Sequence, residues 1–148
     1  MPHQSKTLLW VDDEAELLEA HCIYLRERGY TVETAYNAHD ALELVRRQPY
    51  DLVLLDEQMP GTRGIDALRQ MREHDRNLPI VMVTKSEEDT TLTEALGADI
   101  GDYLVKPISP RQVLTVVARI LEGPRLRQQA LARAFVTRFR ELEMERRR

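Results

Sequence analysis

Several features that would indicate a secreted or membrane protein are missing from this chain of 148 residues. Its one cysteine, Cys22, excludes an internal disulfide framework. No uninterrupted apolar run approaches the roughly 18 residues that a membrane span requires. The first residues, Met1 to Lys6, are polar and lead directly into an apolar segment, which is not the pattern of a secretory signal. We therefore expect a cytoplasmic protein that does not contact a membrane.

Charge is distributed unevenly along the chain. The formal net charge is -4, but residues 1–123 have a balance of -9, while residues 124–148 carry 8 Arg against 3 Glu, a balance of +5. The overall composition, 43% hydrophobic and 31% charged, is typical of one compact domain. We therefore predict a domain at residues 1–123 and a separate tail or linker at residues 124–148.

The predicted tail has the periodicity of an amphipathic helix. A narrow apolar stripe recurs among its arginines at Leu131, Phe135, Phe139 and Leu142. An isolated helix of this length is marginal in water, so the stripe is expected to pack against another copy of the chain or against a further segment. The arginines surround the stripe without forming a DNA-binding motif, so we do not expect the tail to bind nucleic acid.

Residues 1–123 show five alternations of a short apolar run with a segment of helical periodicity. The helices are predicted to begin after Asp13, near Asn37, after Gly64, near Ser86 and at Pro110. Such alternation predicts an α/β fold, with a parallel sheet, right-handed crossovers and helices on both faces. In the first predicted helix Cys22 falls on the apolar face, so it is expected to fill the core, and Gly29 ends that helix.

Polar residues follow four of the predicted strands. Asp12 and Asp13 follow the first strand, Asp56 ends the third, Thr84 ends the fourth and Lys106 follows the fifth. Each of them alone has an ordinary structural explanation, as a helix cap, a turn residue or a solvated strand end. In an open parallel sheet, however, ligands bind in the crevice beyond the carboxyl ends of the strands. The lone carboxylate at a buried strand end, Asp56, is therefore a candidate phosphoryl acceptor.

With Met59-Pro60-Gly61 after the candidate acceptor and Pro107 after Lys106, residues 6–122 resemble the receiver domain of bacterial two-component response regulators. The resemblance implies a flavodoxin-like fold with strand order 2-1-3-4-5. It implies that a sensor histidine kinase is the partner that supplies the phosphoryl group. It also implies a signalling domain, which is not an enzyme beyond its own phosphorylation and dephosphorylation.

The resemblance implies Mg²⁺ as the cofactor. Asp13 and Asp56 would bind the metal directly, the backbone carbonyl of Gln58 would supply a third oxygen, and Asp12 would act mainly through water. These ligands suit a hard cation, which takes oxygen ligands in an octahedral arrangement. The cation is needed because a carboxylate that attacks a phosphoryl group meets like charge.

The resemblance also indicates which residues would change conformation on phosphorylation, and these are called the switch residues. Lys106, joined to Pro107 by a cis peptide bond, would pair with Asp56 and then with the phosphoryl oxygens, while Thr84 donates its hydroxyl to another oxygen. Movement of Thr84 would let Tyr103 turn inward. The affected surface comprises the fourth helix, the fifth strand and the fifth helix, and the chain would form a homodimer through this surface or through the tail.

Beside the switch residue the chain departs from the commonest receivers. Lys85 follows Thr84, where most receivers have a small residue. A long cation at this place would restrict water or contact the phosphoryl group. Gln58, Lys85 and Ser86 are therefore predicted to modulate the lifetime of the phosphoryl group.

Three segments indicate a particular subgroup of response regulators. Residues 9–14, 55–61 and 84–88 look like those of the PorX-type regulators associated with type IX secretion, in which a helical region and an effector domain follow the receiver. The tail would then be the start of a connector. Trp10, which is uncommon in the first strand of receivers, is expected to pack in the core.

Two other functions fit parts of this pattern. A haloacid-dehalogenase-like phosphatase also uses an aspartate at a strand end with Mg²⁺. Its motif needs a second aspartate two residues later, where this chain has Gln58. Alternatively, the domain is a non-phosphorylated scaffold that acts through partner binding and whose pocket is vestigial.

Overall fold

The computed structural model describes residues 5–85 and 100–146, and for residues 124–139 and 141 it describes the backbone only. Five strands form one sheet, in which all neighbours run parallel in the order β2-β1-β3-β4-β5. The strands are β1 Thr7–Val11, β2 Thr31–Ala35, β3 Leu52–Asp56, β4 Ile80–Thr84 and β5 Asp102–Val105. The predicted flavodoxin-like fold and its strand order are confirmed.

Helices connect the strands and cover both faces of the sheet. They are a 3-10 turn at Ala15–Leu18, α1 Glu19–Glu27, α2 Ala38–Arg47, α3 Gly64–His74 and a C-terminal helix, Pro110–Arg146. The helix predicted to begin after Asp13 becomes an α-helix only at Glu19, because the residues before it form a tighter 3-10 turn. The helix predicted near Ser86 lies outside the described residues.

Two helix ends have the chemistry that the sequence predicts. The side chain of Asn37 caps α2, since its Oδ1 accepts a hydrogen bond from the backbone N–H of Asp40 at 2.8 Å. Gly29 follows α1 with a φ of 95°, a conformation that favours glycine. Asn37 marks where the chain passes from β2 into α2, and Gly29 marks where it passes from α1 toward β2.

The core consists of two apolar clusters, one on each face of the sheet. One cluster packs α2 and α3 against the strands, and the other packs α1 and the first part of the C-terminal helix against the opposite face. Trp10 and Cys22 belong to the second cluster and are 0% and 3% exposed. Their predicted packing roles are confirmed.

The C-terminal helix has two parts. Before the break, Val113 and Val117 are buried against the sheet, and Arg119 forms an ion pair with Asp102 of β5. Gly123, with φ 31° and ψ -111°, interrupts the helix at the predicted boundary of the domain.

The backbone of the tail is helical to Arg146, as its periodicity predicts. The side chains of Leu131, Phe135 and Phe139 lie outside the described ones, so the apolar stripe stays a prediction, while Leu142 is 43% exposed. Among the described helices none is both long and apolar enough to span a bilayer.

Candidate functional site

The sheet brings the polar strand ends together at one edge. The pairing of β1, β3 and β4 places Asp12 and Thr84 on either side of Asp56. All three residues are buried, with exposures of 2%, 3% and 1% respectively. The crevice predicted at the carboxyl ends of the strands therefore exists, and these residues lie within it.

Three carboxylates of this crevice form a cluster. One oxygen from each of Asp12, Asp13 and Asp56 lies within 4.8 Å of the other two, and Asp13 is the least buried of the three. Two oxygens bound to the same Mg²⁺ are at most about 4.2 Å apart, because each ligand stands about 2.1 Å from the ion. The donor set thus fits a hard divalent cation, and the spacing of within 4.8 Å is close to the limit for ligands of one ion.

The surroundings of Asp56 disfavour the ionised form of its carboxyl group. Burial raises its pKa from 3.8 to about 6, and the nearby charge of Asp12 adds to this effect. Lys106 and the backbone N–H of Gln58, whose nitrogen is 3.4 Å from Oδ1 of Asp56, act in the opposite direction. A cation that approaches this cluster would therefore stabilise the ionised form of Asp56.

Lys106 provides the positive charge of the site. Its Nζ donates a hydrogen bond to Oδ2 of Asp12 at 3.0 Å and lies 3.5 Å from Oδ1 of Asp56. Burial alone would lower the pKa of the ammonium group, but the hydrogen bond to Asp12 and the charges of both carboxylates raise it overall. The predicted pair with Asp56 is thus present, but the shorter contact is with Asp12, which no strand-end pattern predicts.

The backbone around Lys106 is also constrained. Its N–H donates to the carbonyl oxygen of Thr84 at 2.7 Å, which joins the ends of β4 and β5. The peptide bond to Pro107 is cis, as the family resemblance implies. Both strand ends are therefore held together at the crevice.

Asp12 has a structural role in addition to its place in the cluster. Its Oδ1 accepts a hydrogen bond from the backbone N–H of Glu14 at 2.8 Å, and its carbonyl oxygen accepts one from Ala15 at 3.1 Å. Of the structural explanations, the turn residue is the correct one, because neither the 3-10 turn nor α1 has a side-chain cap. Asp12 is also a residue of the site. One carboxylate oxygen serves the turn and the other serves Lys106.

The loop after β3 approaches Asp56 closely. A Cβ at Gly64 would lie 2.4 Å from the backbone oxygen of Asp56 and 2.8 Å from Cα of Glu57. Because both neighbours are backbone atoms that cannot move aside cheaply, only glycine fits. The N–H of Gly64 donates to the carbonyl oxygen of Glu57 at 2.9 Å and closes the loop that contains Gln58.

Glu57 is a buried carboxylate that the sequence reasoning missed. It is 2% exposed, and its Oε1 lies 3.1 Å from a guanidinium nitrogen of Arg63 across the loop. A glutamate beside Asp56 carries no signal for burial, because glutamate is normally exposed. The two residues meet only once the loop is closed by Gly64.

The predicted switch residues share one face of the sheet. Met82 is level with Tyr103 in the pairing of β4 and β5, and side chains alternate along a strand, so Thr84 and Tyr103 project from the same face. Tyr103 is partly buried against the cluster under α2 and α3.

Of the predicted modulating residues, Gln58 and Lys85 are exposed at the crevice, and Ser86 lies outside the described residues. Lys85 helps to line a cavity of about 420 Å³ together with Lys106 and Ile108. A long cation therefore stands on the solvent side of the site.

Comparison with known proteins gives one consistent family. A sequence profile described as the response regulator receiver domain matches residues 8–118. The transcriptional regulatory protein ResD of Bacillus subtilis is 40% identical over 114 residues, which are 77% of this chain and 47% of ResD. The alginate biosynthesis transcriptional regulatory protein AlgB of Pseudomonas putida is 39% identical over 115 residues, which are 78% of this chain and 26% of AlgB. The chain spans less than half the length of these curated relatives.

Solved structures agree with this result. A CheY-like receiver domain protein from Methanospirillum hungatei has a TM-score of 0.76 and 27% identity, with 80% of this chain and 95% of that chain covered. A two-component response regulator from Clostridium difficile has a TM-score of 0.74 and 26% identity, with coverage of 80% and 97%. Both share the fold described above over about four fifths of this chain.

Proposed function

Because the chain belongs to the response regulator receiver domain family of two-component systems, we propose that it accepts a phosphoryl group on Asp56 from a sensor histidine kinase. The observation that carries this proposal is a single cluster in which a buried carboxylate stands among two further carboxylates and 3.5 Å from an ammonium group. Such a site attracts a cation and then the charge of a phosphoryl group.

A carboxylate oxygen of Asp56 attacks the phosphorus of a phosphohistidine on the kinase. The new O–P bond forms as the P–N bond breaks, which leaves an acyl phosphate on this chain and histidine on the partner. Asp13, Asp56 and the carbonyl of Gln58 would hold Mg²⁺, with Asp12 acting through water. When bound, the ion would supply positive charge that offsets the charge of the incoming group. Lys106 turns toward the phosphoryl oxygens as they arrive.

The proposed role is that of a signalling domain in the cytoplasm. Its own chemistry is limited to accepting the phosphoryl group and losing it to water. Lys85 and Gln58 stand where that water would enter, and Ser86 follows in the sequence, so these three residues would set the lifetime of the acyl phosphate.

Output would pass through the switch residues. The hydroxyl of Thr84 would donate to a phosphoryl oxygen, and Tyr103 would adjust on the same face of the sheet. The response would be a change in association, as a homodimer through the helix predicted near Ser86 together with β5 and the C-terminal helix, or through the tail. The phosphoryl group adds about -1.5 to -2 charge, which is enough to bias a two-state surface.

Two outputs are open to a chain of this kind. The relatives named above are transcriptional regulators, and this chain corresponds to only part of each. The motifs around Asp13, Asp56 and Thr84 instead suggest a PorX-type regulator with a connector after the receiver. We favour the second output because the tail has the apolar stripe of a connector helix.

The decisive experiment is phosphorylation by a small donor. Incubation with acetyl phosphate and Mg²⁺ should add the mass of one phosphoryl group to the parent and to Asp66→Asn, a control on the exposed surface of α3. Asp56→Asn should gain nothing. Uptake by Asp56→Asn at the parent's rate would move the acceptor elsewhere, and no uptake by any form would favour the non-phosphorylated scaffold.

A further inference from the structure

His21, on α1, is hydrogen-bonded to the loop that follows Lys106. Its Nε2 lies 2.7 Å from the backbone carbonyl oxygen of Ile108. A carbonyl oxygen can only accept, so Nε2 carries the hydrogen and donates it. The bond therefore joins α1 to a position two residues beyond the lysine of the site.

Packing holds the imidazole in this orientation. The indole of Trp10, fully buried on β1, meets the ring edge to face, with centroids 5.9 Å apart and planes at 84°. Within residues 5–85 and 100–146, Nδ1 of His21 has no hydrogen-bond partner. The one hydrogen bond that the described structure gives this side chain is thus directed to the loop.

The loop needs such a restraint because of its lysine. The backbone N–H of Lys106 is fixed on one side by the carbonyl oxygen of Thr84 at 2.7 Å. The bond from His21 to Ile108 fixes the chain on the other side. Between these two anchors the ammonium group is presented 3.0 Å from Asp12, and a displacement of about 1 Å is enough to cost a positioned group much of its effect.

We propose that His21 is a positioning residue for phosphoryl transfer and that it acts by anchoring the loop that presents Lys106. This inference rests on the proposed function, since it requires Asp56 to accept the phosphoryl group. His21 acts through the lysine and does not touch the reacting atoms.

The test compares two variants of nearly equal shape. His21→Met and His21→Gln are both long and unbranched, but only glutamine offers an N–H to the carbonyl of Ile108. The rate of phosphoryl uptake from acetyl phosphate with Mg²⁺ is followed by intact mass. Methionine should slow uptake roughly tenfold, and glutamine should restore it to within about twofold of the parent. His39→Met, at an exposed histidine of α2, should keep the parent's rate.

A second background separates positioning from general stability. In a chain that carries Lys106→Ala, His21→Met should slow uptake no further, because two residues that act through one group are not additive. Thermal melting checks that each variant folds, and His21→Leu replaces His21→Met if the latter does not.

Three results would overturn the inference. They are a His21→Met rate equal to the parent's, a His21→Gln rate as low as that of methionine, and an equal loss in both lysine backgrounds. In each case the parent is phosphorylated and the proposed function stands. A parent that takes up no phosphoryl group overturns the proposed function, and this inference with it.

Discussion

Removal of one negative charge from the site should stabilise the metal-free chain at neutral pH. Asp56 binds its proton more tightly in the folded chain, where its pKa is about 6, than in the unfolded chain, where it is near 3.8. As pH rises from about 4 to about 6, the unfolded chain loses this proton first, so the free energy of unfolding falls. Above about pH 6 the whole penalty is present.

The size of the penalty follows from the same values. A pKa that rises from 3.8 to about 6 corresponds to about 3 kcal/mol, at about 1.36 kcal/mol for each pH unit. Asp56→Asn conserves the volume and cannot ionise, so it removes the penalty. Without Mg²⁺ the variant should be more stable than the parent by up to about 3 kcal/mol near pH 7.5. Near pH 4, where residue 56 is neutral in both folded proteins, the difference should be much smaller.

Urea unfolding in EDTA, followed by the fluorescence of the buried Trp10, measures both differences. Equal slopes of the two curves would show that the variant changes stability and not the extent of unfolding. Asp66→Asn, on the exposed surface of α3, is the control and should shift neither midpoint. An Asp56→Asn midpoint at or below the parent's at neutral pH, or an equal shift at both pH values, would refute the reasoning.

Addition of Mg²⁺ should remove most of this difference. A ligand that binds only the folded state at 100 times its dissociation constant adds about 2.7 kcal/mol of stability. The parent should gain this amount, while Asp56→Asn, which has lost a direct ligand, should gain little at the same concentration. Equal gains would show that the metal does not contact residue 56.

Three further predictions concern the neighbours of the acceptor. Asp13→Ala should weaken Mg²⁺ binding more than Asp12→Ala does in a calorimetric titration. Asp12→Ala should lower the urea midpoint more, because it leaves the partly buried ammonium group of Lys106 without its hydrogen bond. The reverse order in either measurement would contradict the assignment of ligands. Gly64→Ala should cost about 1 to 3 kcal/mol of stability and weaken Mg²⁺ binding, since the new methyl meets backbone. In the control Gly101→Ala the new methyl would meet a side-chain methyl group of Ile120 at 3.2 Å and a backbone oxygen only at 3.5 Å, which is an ordinary contact, so it should cost less. Equal losses would mean that the loop adapts. Lys85→Ala should change the rate of phosphoryl loss more than the extent of phosphorylation, and an unchanged rate would remove this lysine from the mechanism.

Much of the fold is readable in the sequence because strand periodicity and strand ends are local properties. Four apolar runs end in polar residues, and a parallel sheet necessarily brings these ends to one edge. That argument alone locates Asp12, Asp56, Thr84 and Lys106. Similarly, Asn37 caps a helix through an atom three residues away, so its role needs no tertiary information.

Residues whose partners lie far away in the chain were not predictable in the same way. Lys106 donates its hydrogen bond to Asp12, and His21 is hydrogen-bonded to Ile108. The second contact exists because α1 and the loop after β5 meet only in three dimensions. The 3-10 turn before α1 was missed for a related reason. One oxygen of Asp12 accepts the N–H of Glu14, which tightens the turn in a way that periodicity does not record.

The charges at the crevice would couple the binding of Mg²⁺ to phosphorylation. Three carboxylates and one ammonium leave two negative charges, which one Mg²⁺ cancels. Under the proposed function, conversion of Asp56 to an acyl phosphate replaces about one negative charge with about two, so the ion is held more tightly afterwards. Linkage is reciprocal, and the ion must favour the phosphorylated form by the same factor. The concentration of free Mg²⁺ therefore sets how much phosphorylated chain exists at equilibrium with its donor, apart from any effect on rate.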